Sequence, residues 1–346
     1  MKYSRVFLQS LGYELAPVVV TSAELEDRLA PAYKRLHIPG GQLEALTGVV
    51  ERRWWEPKFP VADGAIRAGR KALQQANLSG MELGAIIYAG VCRELFEPAT
   101  ACKVAAALGV SDNAVVYDIS NACLGVLNGM LDIANRIELG QIRAGMVVSC
   151  ESARDIVEIA VEKLSTTPSL DAFRLSLATL TGGSGAAAVV LTDGSFPDAQ
   201  TRLLGGVTQT APEHHLLCRW GMEETGPNDY RQFMSTDSVG VLQHGVALGR
   251  KTWQAFLQEM GWSTQDIEKV ICHQVGSAHR DTILKTLEVP EEADFSTYEF
   301  LGNMGTVSLP LTAALAGERD FLQQGDRVSF LGIGSGLNCL MLGIEW

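Results

Sequence analysis

The sequence predicts an internally duplicated α/β fold with parallel-rich sheets buried between helices. Three observations lead there. The order strand–helix–strand–helix–strand occurs twice, around residues 83–149 and again around residues 269–331. In each copy a sharp turn before the second helix carries a polar residue, Asn121-Ala122-Cys123 in one and Gly302-Asn303 in the other. Segments such as 83–91 and 186–191 are compact β-rich apolar runs, the pattern of strands covered on both faces. Two βαβαβ units of similar length follow from this pattern, and with them a division of the chain into 1–192 and 201–346.

Composition sets the limits. At 346 residues and 47% hydrophobic, the chain can bury a large core or two fused ones, since single cores stop growing at roughly 250–300 residues. A net charge of −12 argues against nucleic acid as the main partner, while small anions remain accessible to local arginines. No window approaches the ~18 apolar residues of a membrane span. The N-terminus meets polar Gln9 and Ser10 without a small-residue cleavage site, so it is not read as a signal peptide. Seven cysteines (92, 102, 123, 150, 218, 272, 339), odd in number and never spaced as CxxC, point to reduced thiols in a cytoplasm rather than disulfides or structural zinc. The pairs His214-His215 and Cys272-His273 lack the spacing that aims two side chains at one metal.

In order, a strand is expected over 4–11, then a capping box Thr21-Ser22-Ala23-Glu24 opening a helix over 25–29 that Pro31 ends. A basic, aromatic loop Arg52-Arg53-Trp54-Trp55 precedes a helix capped by Asp63 and running to Ala76. The strand at 83–91, the loop Cys92-Arg93-Glu94-Leu95-Phe96-Glu97-Pro98 and a helix over 100–108 follow. Next come the strand 115–119, a helix opening on Cys123 with an apolar stripe at helical spacing and Gly140 as its stop, and the strand 144–149. Residues 152–180 read as amphipathic helix, and Gly182-Gly183-Ser184-Gly185 opens the strand 186–191. Past a turn-rich link at 192–200, a helix over 237–259, a strand 269–273, a helix 278–287, the Asn303 loop, a helix to 322 and a strand 327–331 repeat the design. The glycine run Gly332-Ile333-Gly334-Ser335-Gly336 precedes the last strand.

In duplicated α/β sheets, functional groups gather where strands end and helices begin. Four such turns carry Cys123, His273, Asn303 and the glycine run. A thiol at a helix N-terminus faces unpaired N–H groups and the positive end of the dipole, which favours thiolate. A cysteine, a histidine and an asparagine on separate loops equip a site for thiolate catalysis on an acyl group, and clustered glycines let backbone N–H groups approach a carbonyl. Each also has a plainer explanation: a small core cysteine, a locally bonded histidine, a turn asparagine, tight glycine packing. The glycine run is no dinucleotide loop, because its spacing is G-x-G-x-G and only ten residues follow it.

Asn121-Ala122-Cys123, His273-Gln274, Gly302-Asn303 and the run 332–336 fall in the order and at the separations of the thiolase superfamily. More narrowly, the chain resembles β-ketoacyl-ACP synthase III and its relatives. Gly48-Val49-Val50-Glu51-Arg52-Arg53, Gly182-Gly183-Ser184-Gly185-Ala186 and Leu337-Asn338 fit the same pattern, so the resemblance spans nearly the whole chain. It implies a thiolase fold, a five-layered αβαβα sandwich, a homodimer, and a ping-pong Claisen condensation between thioesters. It also implies that Cys123 is acylated, that His273 and Asn303 position the second thioester carbonyl, and that the backbone N–H groups of Cys123 and Gly336 form the oxyanion hole.

Two departures from synthase III stand out. Gln42 and Leu46 occupy the places of the tryptophan and arginine that hold the coenzyme A adenine, and the loop before the alanine-rich helix reads Leu95-Phe96-Glu97-Pro98. Both resemble the olefin-pathway thiolases, which join two long-chain acyl-CoA molecules head to head without decarboxylation. In them a glutamate of this loop reaches into the neighbouring subunit's site. The chemistry agrees: malonyl-ACP makes its carbanion by losing CO₂, whereas a second acyl-CoA needs a base for its α-proton, a role suited to a desolvated carboxylate. Glu97 is the expected base, with Glu94 a nearby competitor. Arg52, Arg53, Arg219 and Arg250 are candidates for coenzyme phosphates, and the helices of 152–180 for walls of an acyl channel.

The expected protein is thus a cytoplasmic homodimeric acyltransferase that makes a 2-alkyl-3-ketoacid from two acyl-CoA thioesters, with no cofactor and no metal. The alternative is a 3-oxoacyl-ACP synthase III of fatty acid biosynthesis, with an acyl carrier protein as partner. A remoter one is a non-catalytic acyl-binding protein in which Cys123 is inert.

Overall fold

A computed structural model describes residues 1–346. The strands are β1 (Phe7–Leu15), β2 (Val18–Thr21), β3 (Glu51–Trp54), β4 (Ala85–Ala89), β5 (Val115–Ile119), β6 (Ala144–Glu151), β7 (Gly185–Thr192), β8 (Arg202–Thr210), β9 (Cys218–Gly226), β10 (Asp229–Thr236), β11 (Lys269–Cys272), β12 (Arg327–Gly334) and β13 (Asn338–Glu345). The helices are α1 (Ser22–Leu36), α2 (Gln42–Thr47), α3 (Val61–Ala76), α4 (Thr100–Leu108), α5 (Gly125–Glu138), α6 (Arg154–Thr166), α7 (Leu170–Leu180), α8 (Ser238–Met260), α9 (Ser277–Leu287), α10 (Tyr298–Leu301) and α11 (Ser308–Glu318).

Nine strands run in the order β11-β12-β13-β8-β1-β7-β6-β4-β5. They form two sheets joined where the N-terminal segment meets β8, at the pair Phe7 and Arg202 and the bridge between Lys2 and Gly205. The two sheets repeat one pattern. β1 is antiparallel to β7, β7 to β6, and then β6, β4 and β5 are parallel. Likewise β8 is antiparallel to β13, β13 to β12, and β12 is parallel to β11. Val270 of β11 makes a further parallel bridge to Asp294, in the place β5 holds in the first sheet. The duplication expected from the sequence is therefore visible strand by strand.

Alternation along the strands builds the layers. On β7, Ala186, Ala188 and Val190 pack outward against α3 and α4, while Val189 and Leu191 face inward. The inward residues of both sheets enclose α5 and α11, whose Leu127, Met130, Ala134, Leu309 and Ala313 are buried between them. α8 and α9 cover the far face of the second sheet. The order α3/α4, sheet, α5/α11, sheet, α8/α9 is the five-layered αβαβα sandwich of the thiolase fold. Helices buried on all sides suit α11, which is apolar around its circumference.

Several local expectations change. Pro31 does not end α1, which continues to Leu36 behind the expected capping box of Thr21 and Glu24. Leu29 and Tyr33 pack on either side of the proline against α6 and α7, and that burial outweighs one missing helix hydrogen bond. Arg52-Arg53-Trp54 is a strand rather than a loop, paired with β2. Trp54 and Trp55 are buried with their indole N–H groups donated to the carbonyls of Gly182 and Glu151. Asp63 does not cap α3; Glu94 Oε1 accepts the Ala62 N–H there, at 3.1 Å. The strands β8, β9 and β10 were not anticipated.

Candidate active site

β5 ends at Ile119 and the chain turns sharply through Asn121 and Ala122 to Cys123. Ala122 sits at φ +45°, a conformation that costs a non-glycine residue on the order of 1 kcal/mol. The turn is held by Leu124 N–H to the Asn121 carbonyl at 2.9 Å, and α5 proper begins only at Gly125. Gly140 ends this helix with φ +69°, as expected.

The glycine run fits against this turn. A methyl at Gly332 would lie 2.6 Å from both Leu124 Cδ2 and Leu127 Cδ1, so a bare backbone is needed for β12 to lie on α5. An amide chain joins the two halves beside the sulfur: Asn338 Nδ2 donates to Asn121 Oδ1 at 3.0 Å, and Asn121 Nδ2 to Asn128 Oδ1 at 2.7 Å. Gly336 has φ +141°, and Gly334, Ser335 and Leu337 around it line the cavity described below.

The expected thiolate is not what the geometry gives. Burial pushes the Cys123 thiol up to about 12, with Cys218 and Glu151 adding in the same direction. The leading N–H groups of α5 are already engaged: Leu124 and Gly125 donate to Asn121 and Ala122 carbonyls, and Val126 donates to Thr306 Oγ1 at 2.7 Å. Little of the helix end is left to aim at the sulfur, and desolvation wins. The group is a thiol at rest.

His273 follows β11, its N–H bonded to the Leu331 carbonyl at 2.8 Å. Its Nδ1 is buried without a protein partner, and burial lowers its pKa to about 4, with His279 as a smaller cause. The ring is thus a neutral imidazole able to accept a proton from the thiol. Next to it, buried Gln274 latches the Asn303 segment: its Oε1 accepts from Thr297 and Tyr298 N–H at 2.6 and 2.7 Å. Asn303 is pinned to the first half, donating its N–H to Thr181 and accepting from Gly183. Its Oδ1 accepts the Gly305 N–H at 3.0 Å, which fixes the amide and leaves Nδ2 as the free donor.

These groups meet in one cavity of about 480 Å³, lined by Cys123, His273 and Asn303 together with mainly apolar side chains. Ile156, Ala178 and Thr179 of α6 and α7 form one wall, as expected for 152–180. The roof was not expected: Cys218, Arg219, Trp220, Met234 and Thr236 come from the β9–β10 hairpin. The Gly226-Pro227-Asn228-Asp229 turn was the available signal for it. Asn338, Asn121, Gln274 and Glu151 were also missed as site residues.

The remaining candidates are sorted by position. Arg52 is wholly buried and bonded to Val20 O, Ser22 Oγ and Leu180 O at 3.0–3.3 Å, and burial lowers its pKa to about 10. It is a structural residue, not the phosphate ligand expected; reading 52–55 as a loop hid the strand alternation that turns Arg52 inward. Arg53 lies half-buried on the other face of β3. Arg219 is exposed at the cavity, over the Phe233 ring. Arg250 is exposed on α8 and does not line the cavity. Glu94 is engaged with Ala62 N–H and Lys103, so it is no free base. Glu97 lies on an exposed loop outside this chain's own cavity, beside Phe96, which is 98% exposed, and Leu95. No helix is long and apolar enough to cross a membrane, and no three His, Cys, Asp or Glu side chains are grouped to hold a metal ion.

Residues 257–346 match the family described as 3-oxoacyl-(acyl-carrier-protein) synthase III C terminal. Over the full length of both proteins the chain is 60% identical to an acyl-CoA:acyl-CoA alkyltransferase of Shewanella oneidensis (strain MR-1). It superposes on cerulenin-bound OleA of Xanthomonas campestris with a TM-score of 0.94 at 36% identity, covering 100% of this chain and 98% of that one. A cysteine-to-serine form of that OleA with bound lauric acid and lauroyl-CoA gives 0.93 at 36% identity, covering 99% and 100%. Other structures of it carry substitutions at one glutamate and one histidine, and the glutamate stands as far before the substituted cysteine as Glu97 stands before Cys123.

Proposed function

Because the chain belongs to the acyl-CoA:acyl-CoA alkyltransferases of the thiolase and ketoacyl synthase III superfamily, we propose a route by which its own residues carry that condensation. The enzyme joins two fatty acyl-CoA molecules head to head without decarboxylation. In the first half, His273 takes the Cys123 proton as the sulfur attacks the thioester carbonyl. The backbone N–H groups of Cys123 and Gly336 receive the developing oxyanion, and coenzyme A leaves as a thiol with the proton from His273. In the second half, Glu97 of the partner subunit removes the α-proton of a second acyl-CoA. His273 and the Asn303 Nδ2 donate to its enolate oxygen, the α-carbon attacks the acyl-cysteine carbonyl, and the Cys123 sulfur leaves as a thiolate that takes back the proton held on Glu97, so both groups end as they began. Hydrolysis of the product thioester gives the 2-alkyl-3-ketoacid.

The observation that carries this assignment is the convergence of Cys123, His273 and Asn303 from both halves on one largely apolar cavity. The sequence divides accordingly into 1–192, with the nucleophile, and 201–346, with the imidazole and amide. A homodimer is supported by the open edge of β5 and by the exposed Leu95 and Phe96 beside Glu97. Of the arginines, Arg219 is best placed for a coenzyme phosphate. Seven free cysteines suit a reducing cytoplasm. The reaction as written needs no cofactor beyond its thioester substrates and no acyl carrier protein.

The test is Glu97→Ala. Mass spectrometry after incubation with lauroyl-CoA is expected to find full acyl mass on Cys123, while condensation product falls by at least ~100-fold. Normal condensation by that variant removes Glu97 from the mechanism. Release of CO₂ with malonyl-ACP as second substrate would instead favour the carrier-protein reaction.

A further inference from the structure

One buried carboxyl group belongs to the site but has no part in the route above. Glu151 ends β6, is 5% exposed and lines the same cavity as Cys123. Its hydrogen bonds come from backbone N–H groups and not from a lysine, arginine or histidine. Its Oε1 accepts the Val91 N–H at 2.9 Å and its Oε2 the Cys92 N–H at 3.2 Å. Those two residues are the root of the 92–99 loop that carries Glu97. The same root is tied by Tyr88 Oη to the Cys92 carbonyl at 2.7 Å and by Ser152 N–H to Cys92 Sγ at 3.4 Å.

The carboxyl also touches the other working turns. A methyl at Gly90 would lie 3.0 Å from Oε1, and one at Gly305 within 3.6–3.8 Å of Cγ and Oε1. Gly305 is the residue whose N–H fixes the Asn303 amide. Gly90 in turn backs the first turn of α5, where a methyl on Gly125 would be 3.4 Å from its nitrogen. An unpaired carboxyl in a dry position is costly, and a glutamine or methionine would fill the space at less expense. Two acceptors aimed at two successive N–H groups are what only a carboxylate supplies there.

We propose that Glu151 is a positioning residue for the condensation step: by fixing the root of the 92–99 loop it fixes where Glu97 reaches in the neighbouring subunit's cavity. The inference rests on the proposed role of Glu97. Acyl transfer to Cys123 uses neither the loop nor Glu97, so the two half-reactions separate the roles.

The experiment uses the full-length enzyme with lauroyl-CoA. It compares Glu151→Gln, Glu151→Asp, Glu97→Gln and the double variant Glu97→Gln/Glu151→Gln, reading Cys123 acylation by intact mass and condensation by product formation. Glutamine turns an N–H donor toward the Cys92 N–H, and aspartate keeps the charge but loses the reach. Neither single Glu151 variant is expected to acylate Cys123 more slowly than about half the wild-type rate, and Glu151→Gln less so still, because it removes a charge that holds the Cys123 thiol up; both are expected to condense about 10–100-fold more slowly, the usual cost of misplacing a reacting group by an ångström or so. The double variant is expected to be no slower than Glu97→Gln alone, because both changes act through one carboxylate. Unchanged condensation in both Glu151 variants, a parallel loss of acylation, or multiplied effects in the double variant would each overturn the proposal. Should Glu151→Gln not fold, Glu151→Asp carries the same comparison. Wild-type condensation by Glu97→Gln is the separate failure of the Glu97 assignment, and a slow Glu151 variant beside it would make Glu151 the base itself.

Discussion

At Cys123 two effects of opposite sign compete, and their sizes decide the chemistry. A helix N-terminus is worth roughly 0.3–1 kcal/mol to a nearby anion, whereas burying a thiolate is worth several times that. The thiol pushed up to about 12 by burial, beside an imidazole lowered to about 4, makes a neutral pair over the whole working range of pH. A raised thiol pKa means that the thiolate fraction keeps growing with pH. Alkylation of Cys123 by iodoacetamide, followed by intact mass, is therefore expected to accelerate about tenfold per unit between pH 7 and 10 without levelling. A plateau near pH 7 would restore the resting thiolate. Residue identity was readable here and protonation was not. Cys123, His273 and Asn303 declare themselves by standing at turns between strands and helices, but desolvation depends on which distant segments close over the sulfur.

At the scale of elements, most of what the sequence shows is periodicity, and the two halves were legible for that reason. β5 and α4 have the limits expected, because a run of apolar β-rich residues and an alanine-rich stripe each allow one reading. The losses have physical causes. Pro31 was misjudged because the burial of Leu29 and Tyr33 against α6 and α7 is a tertiary fact. The β9–β10 hairpin was passed over because all but one of its residues are exposed or half-exposed, so no hydrophobic alternation marks it. The glycine run was read as a place for backbone to approach substrate, yet Gly332 serves first to let β12 lie on α5. Gly332→Ala would drive a methyl into Leu124 and Leu127, each 2.6 Å away. Denaturant titration is expected to show a loss of about 1–3 kcal/mol, with slower acylation of Cys123 because its turn is displaced. A stability within error of wild type would mean that α5 can retreat without cost.

For the whole molecule the open question is where one active site ends and the next begins. A single chain closes a cavity around Cys123, His273 and Asn303 but leaves Glu97 outside it, on a loop with exposed Leu95 and Phe96. Burying a phenylalanine side chain is worth about 1.5–3 kcal/mol, so a wholly exposed one at the tip of a loop suits the proposed dimer surface. The periodicity of the chain carries no trace of such a surface; the proposal draws on the resemblance to the olefin-pathway thiolases. The proposed sharing of sites predicts complementation. Cys123→Ala subunits lack a nucleophile and Glu97→Gln subunits lack a base, so neither is expected to condense alone. In a mixed dimer, one of the two sites holds an intact Cys123 with Glu97 of the partner subunit. Random pairing after co-expression makes about half of the dimers mixed, each with one of its two sites complete, so about a quarter of wild-type condensation is expected to return. A base acting within its own chain would restore nothing, because every subunit that kept its cysteine would still lack its glutamate.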